Sequence, residues 1–182
     1  MGEDDELIVT ATRRWLEAAV IGLDLCPFAR AVHVQDRIRY AVSAAETPEA
    51  LLADLIDELR ALAAADPAQI ETTLLIHPGT LADFLDYNDF LGVADAALAD
   101  LGLTGILQIA SFHPDYRFAG SAPGDVENCT NRSPYPMLHL LREASVERAV
   151  EAYPDAEAIW ERNVEALRRL GRDGWRELLA DP

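Results

Sequence analysis

The apolar residues of this chain follow two rhythms, and each predicts a different kind of element. Between residues 5 and 22, Leu7, Ile8, Ala11, Trp15, Leu16, Ala19 and Val20 recur at helical spacing, which predicts a first helix stopped by Gly22 and Cys26-Pro27. Ile38, Tyr40 and Val42 alternate with Arg37, Arg39 and Ala41, the pattern of a half-exposed strand. Thr47-Pro48-Glu49 supplies an N-cap, a proline suited to the first helical position and an early acid. A buried stripe of Leu51, Leu52, Leu55, Ile56, Leu59 and Leu62 then predicts a helix over about 48–65. Residues 71–77 form a short apolar, β-branched run ended by Pro78-Gly79, and a helical stretch over about 80–101 follows.

Residues 105–113 read as a third strand, apolar on both faces and therefore expected to be central. Ser133-Pro134 has the form of a helix start, with a helix expected from there to about Tyr153. Pro154-Asp155 restarts the chain into a last helix through about Leu179. The expected fold class is therefore α/β: a single domain over 1–182, with an about three-stranded, at least partly parallel sheet covered by about five helices.

Two of the expected strands end in His-Pro, at His77-Pro78 and His113-Pro114. If the helix between them is a crossover, both carboxyl ends lie at one edge of the sheet, where open α/β sheets bind ligands. Ser111 and His113 share a face by alternation. The stretch from Pro114 to Arg132 is a long aperiodic loop rich in hydrogen-bonding side chains, which marks 111–142 as the candidate site segment. On the helix expected after Ser133, Tyr135, His139 and Arg142 fall at i, i+4 and i+7 as one polar stripe.

Charge narrows the classes of partner. The 182 residues carry 32 acids against 15 cations, a formal net charge of −17, and every cation is arginine. Without lysine there is no Schiff-base chemistry and no P-loop lysine. The acidic excess argues against nucleic acid and against an anionic membrane surface. Residues 104–144 hold four acids and three arginines, so the segment carrying the unusual chemistry is nearly neutral. No cationic, apolar leader opens the sequence, and no apolar run approaches the roughly 20 residues of a membrane span. Two cysteines, Cys26 and Cys129, make no disulfide framework and fit a reducing compartment, so a cytoplasmic location is expected.

The candidate chemistry follows from these residue types. His113 has the pKa range of a general acid or base, and His139 and Tyr116 are placed to assist. Arg132 and Arg142 offer planar forks for carboxylate or phosphate, with Asn128, Asn131 and Ser133 as further binding groups. Cys26 lies in the apolar setting Leu25-Cys26-Pro27-Phe28, as a structural thiol or as a nucleophile if paired with a histidine. No CxxC, HExxH or comparable pair is present, so no metal site is assigned and no cofactor is specified.

The runs 108–118, 127–143 and Leu25-Cys26-Pro27-Phe28-Ala29 resemble the bacterial domain-of-unknown-function family numbered 1415. The resemblance covers nearly the whole chain and implies a stand-alone cytoplasmic protein, without an activity to carry over. Its motif positions fall at Cys26, His113, Tyr116, Asn128, Asn131, Arg132, Ser133, His139 and Arg142. The leading expectation is a small enzyme, a hydrolase or group transferase, acting on an anionic small molecule. The alternatives are a metal- or haem-binding module using His113, His139 and Cys26, and a non-catalytic interaction domain whose motif residues bond one another.

Overall fold

A computed structural model describes residues 2–152, 155 and 158–179. The chain runs through α1 (Glu3–Trp15), a π-helical segment (Leu16–Ile21), α2 (Ala29–Val34), β1 (Ile38–Val42), α3 (Pro48–Ala64) and β2 (Thr72–Ile76). It continues through α4 (Phe84–Asp100), β3 (Leu107–Phe112), a 3-10 turn (Val126–Asn131), β4 (Met137–Arg142), α5 (Glu143–Ala152) and α6 (Ile159–Leu179).

The four strands form one sheet in the order β1-β2-β4-β3. β1 and β2 are parallel, whereas β4 runs antiparallel to both β2 and β3. β2 and β3 therefore point the same way with β4 inserted between them, and their His-Pro carboxyl ends do share one sheet edge.

The sheet has four strands where about three were expected, and two further expectations are corrected. The residues from Ser133 to Arg142 are extended chain and strand, not helix, and of residues 133–152 only α5 is helical. Met137-Leu138-His139-Leu140-Leu141 is rich in good helix formers, but insertion between two strands satisfies its backbone on both sides and buries Met137, Leu138 and Leu140. Tertiary context outweighs that weak local preference. Ser133 accordingly caps no helix; its hydroxyl donates to the Tyr135 carbonyl at 2.7 Å. β3, in turn, is an edge strand and not a central one, because the central place beside β2 is taken by β4. The restart at Pro154 lies outside the described residues.

Strand alternation sorts the core into two layers. Leu75, Leu138, Leu140 and Leu107 face α3 and α4, meeting the Leu51, Leu55, Leu59 and Leu62 stripe and Phe90, Ala94 and Leu98. Leu74, Ile76 and Met137 face the other way, against Trp15, Leu16 and Ile21 of the first helical stretch and Leu167 and Trp175 of α6. The expected cap of α3 forms, with Thr47 accepting from the Ala50 amide at 3.2 Å and Pro48 opening the helix. Gly22 ends the π-helical segment where an added Cβ would collide with the Ala18 carbonyl, so no larger residue fits without moving the wall that this segment forms.

Tyr87 ties the edge together. It is fully buried; its hydroxyl donates to the Met137 carbonyl at 2.8 Å and accepts from the Phe112 amide at 3.0 Å. Tyr87→Phe leaves two buried backbone groups unpaired and is expected to lower stability by about 1–3 kcal/mol. Urea unfolding of the two proteins checks this; a midpoint unchanged by the substitution would contradict the bridging role.

Candidate functional site

The His-Pro edge assembles as a clamp on one turn. His77 and His113, from the ends of β2 and β3, are both fully buried and both pack against Tyr87, with ring centroids 5.9 Å and 5.0 Å from it. His77 Nδ1 bonds the Thr80 carbonyl at 3.2 Å, and His113 Nε2 bonds the neighbouring Leu81 carbonyl at 3.1 Å. Leu81 is held at φ 57°, a left-handed conformation that a leucine rarely adopts and that the surrounding bonds must enforce. The Asp115 amide donates to His113 Nδ1 at 3.0 Å, which places the ring proton on Nε2 and leaves neither nitrogen free. Burial lowers the pKa of both rings, His77 to about 4, so both are neutral at physiological pH. Both ring nitrogens of His113 are thus engaged by backbone groups of this turn.

The loop after His113 is closed by its own side chains. Asn128 is buried; its Oδ1 accepts from the Phe118 amide and the Ser121 hydroxyl, and its Nδ2 donates to the Ala122 carbonyl. Asn131 donates to the Ser111 carbonyl at 3.0 Å, and the Trp15 indole N–H donates to the Arg132 carbonyl at 2.8 Å. Tyr116 packs edge-to-face between Phe84 and Phe118, with Trp160 of α6 continuing the stack beyond Phe118. These residues are held for the loop's order. Arg132 bonds the Pro123 carbonyl at 2.8 Å and lines a polar pocket of about 330 Å³ with Arg117, Asp83 and Asp115.

His139 lies on the opposite face of the sheet from His113. The register pairs His139 with Ala110 and Met137 with Phe112, so His139 shares a face with Ala110 and Phe112, whereas His113 continues the face of Ser111. His113, Arg132 and His139 therefore do not converge, and no ligand set can combine His113 with His139. The helical stripe expected for Tyr135, His139 and Arg142 is dissolved by the strand.

His139 instead lines a cleft of about 600 Å³ on the face covered by the first helical stretch and α5. The cleft wall is mainly apolar, with Trp15, Leu16, Val20, Phe28, Leu74 and Phe112 among its residues, and Cys26 also reaches it. Thr72 gives its single hydroxyl proton to the Leu140 carbonyl at 2.6 Å and so accepts from His139 Nε2 at 2.8 Å. That fixes the tautomer with a lone pair on Nδ1, for which no partner is found among the described residues. Burial lowers the His139 pKa to about 4. Cys26 makes no bond to His139 among the described residues, and burial pushes its thiol pKa up, so it is a neutral thiol at physiological pH. Cys129 is buried against the first-helix layer.

Arg142 points to the other layer. Its Nη2 reaches the carbonyls of Leu62, Ala65 and Ile70 at 2.8, 2.8 and 3.0 Å, closing the carboxyl end of α3. Among the described residues no group of three or more His, Cys, Asp and Glu side chains is placed to hold a metal ion. No described helix is long and apolar enough to cross a membrane.

The cleft residues Thr72, Gln108 and Ala110 were not among the sequence candidates. The available signal was alternation in β3, where Gln108 and Ala110 interrupt an otherwise bulky face that ends in Phe112.

Fold and site together define a mixed-sheet α/β protein with a preformed apolar cleft on one sheet face. Within that class, the chain belongs to the family described as Protein of unknown function (DUF1415), whose profile matches residues 7–177. No curated protein and no solved structure matches it.

Proposed function

We propose that this protein binds a predominantly apolar small molecule in the cleft on the His139 face of the sheet. The observation that carries the reading is the cleft itself: about 600 Å³, mainly apolar, and furnished with one histidine of fixed tautomer. That size and lining, with a few placed polar groups, are those of small-molecule sites. His139 Nδ1 is a ready acceptor for a hydroxyl or N–H of the ligand. The expected proton shuttle through His113 finds no support in a ring whose two nitrogens are both bonded, and nucleophilic attack by Cys26 finds none in a thiol that burial keeps protonated. Binding, with His139 as the base that lines the cleft, is therefore the stronger reading.

A neutral apolar fluorophore such as N-phenyl-1-naphthylamine tests it. The dye is expected to bind at one site per chain and to change the emission of Trp15, which lines the cleft. Ala110→Trp fills the cleft from the sheet side and is expected to abolish binding while the circular dichroism spectrum stays unchanged. Undiminished binding to a folded A110W protein, or none to the parent chain, would overturn the proposal.

A second reading keeps the expected anionic ligand at the polar pocket of about 330 Å³. Arg117 and Arg132 favour it, while Asp83 and Asp115 in the same lining oppose it. Arg117→Gln should then weaken binding of a small dicarboxylate, read by calorimetry.

A further inference from the structure

We infer that the cleft ligand is a carboxylate with an apolar body, its carboxylate held by Arg148 at the polar end of the cleft and its body running toward Trp15 and Phe112. The inference rests on the cleft-binding reading above and adds the chemistry of the ligand's head.

Sheet register makes the cleft two-ended. The row Ile38–Thr72–Leu141–Gln108 crosses one end of the sheet face that borders the cleft, and the row Val42–Ile76–Met137–Phe112 crosses the other. From Gln108 to Phe112 the strand rises about 13 Å, enough for an extended medium-length alkyl chain. Among the described residues the charged groups gather at the first end. Arg37 precedes Ile38, Glu71 precedes Thr72, Arg142 follows Leu141, and α5 adds Ser145 and Arg148, all of them lining the cleft. The far end is Trp15, Leu16 and Phe112, which pack without charge, Trp15 edge-to-face on Phe112 at 5.3 Å.

The charge at the polar end opposes that of the whole chain. Three arginines stand against one glutamate there, while the protein carries −17. Glu71 is taken by Arg37 at 3.3 Å. Arg148, exposed on α5, bonds the Ser145 hydroxyl at 2.9 Å and no other group among the described residues.

Arg37 is engaged by Glu71, Gln35 and the Pro67 carbonyl, and Arg142 by three carbonyls at the end of α3, which among the described residues leaves Arg148 as the cation of that end for a ligand's head. A carboxylate supplies two acceptor oxygens and the compensating charge; an alcohol supplies neither charge nor a second oxygen, and a cationic head is repelled.

The test displaces N-phenyl-1-naphthylamine from the full chain with decanoate, decanol or decyltrimethylammonium, three heads on one tail. Decanoate is expected to bind at least tenfold more tightly than decanol, with decyltrimethylammonium weakest. Arg148→Gln is expected to shrink the decanoate preference to about threefold without changing decanol binding. Equal affinities of decanoate and decanol, or tighter binding of the cationic head, would overturn the carboxylate assignment while the apolar cleft stands. If none of the three displaces the dye, the cleft reading and this one fall together.

Discussion

Arg142→Ala is expected to lower the free energy of unfolding by about 3 kcal/mol, because one guanidinium group serves three backbone carbonyls at the end of α3. The last carbonyls of a helix have no partner within it, and here Leu62 and Ala65 find theirs in a side chain from the central strand β4. Removing that side chain leaves acceptors in a half-buried position and uncouples α3 from the sheet. A charged donor makes each bond stronger than a neutral one would. Lysine is a poor substitute, since a single ammonium on a flexible stem cannot reproduce the fixed geometry of the fork. Urea unfolding of the alanine and lysine variants reads the effect. A loss below about 0.5 kcal/mol for alanine would show that the guanidinium is not engaged with α3 and is free for a ligand.

Acid is expected to destabilise the protein well before its carboxylates titrate. His77 has a pKa near 6.5 in the unfolded chain and about 4 in the folded one, chiefly because burial disfavours its charged form. The unfolded state therefore binds a proton that the folded state refuses, and stability falls as pH drops below 6.5. The full contribution is about 3 kcal/mol, of which about 2 kcal/mol is lost by pH 5. His139 acts with the same sign, with a smaller effect because its ring borders the open cleft. His113 is also lowered, in spite of the Leu81 carbonyl that favours its protonated form. The physical event is charging of a ring packed on Tyr87 with its Nε2 buried and unpartnered. Urea midpoints between pH 7.5 and pH 5 measure the slope. His77→Asn can keep a donor for the Thr80 carbonyl but does not titrate, so the slope should flatten in that variant. A stability curve flat from pH 7.5 to pH 5 in the parent chain would rule out neutral burial of these rings.

The helical boundaries at Thr47-Pro48, the leucine stripe of α3 and the alternation in β1 were legible because each is a local signal: a cap, a period, a half-exposed strand. The shared edge of His77 and His113 was legible through a topological rule, since a helical connection between the two strands implied that they run parallel. β4 was not legible. Met137–Arg142 has helix-forming residues at spacings that fit a helix, and what makes it a strand is the pair of neighbours it joins, 61 to 69 residues earlier on the β2 side and 25 to 35 earlier on the β3 side. That single reassignment moved His139 to the face opposite His113 and turned Arg142 toward α3, which split the expected site in two.

The sequence alone determined which residues are unusual: a nearly neutral segment in a chain of charge −17, dense in His, Asn, Arg and aromatic side chains, and a cationic chemistry restricted to arginine. The tertiary structure decided what those residues do. Asn128, Asn131 and His113 order a loop and a strained turn, Arg142 closes a helix, and His139 stands in an apolar cleft beside residues such as Gln108 and Arg148. The physical reason is that residue type fixes what bonds a side chain can make, whereas strand pairing fixes its face. A hydrogen-bonding group turned toward backbone carbonyls becomes structure, and one turned toward an open cleft becomes available to a ligand.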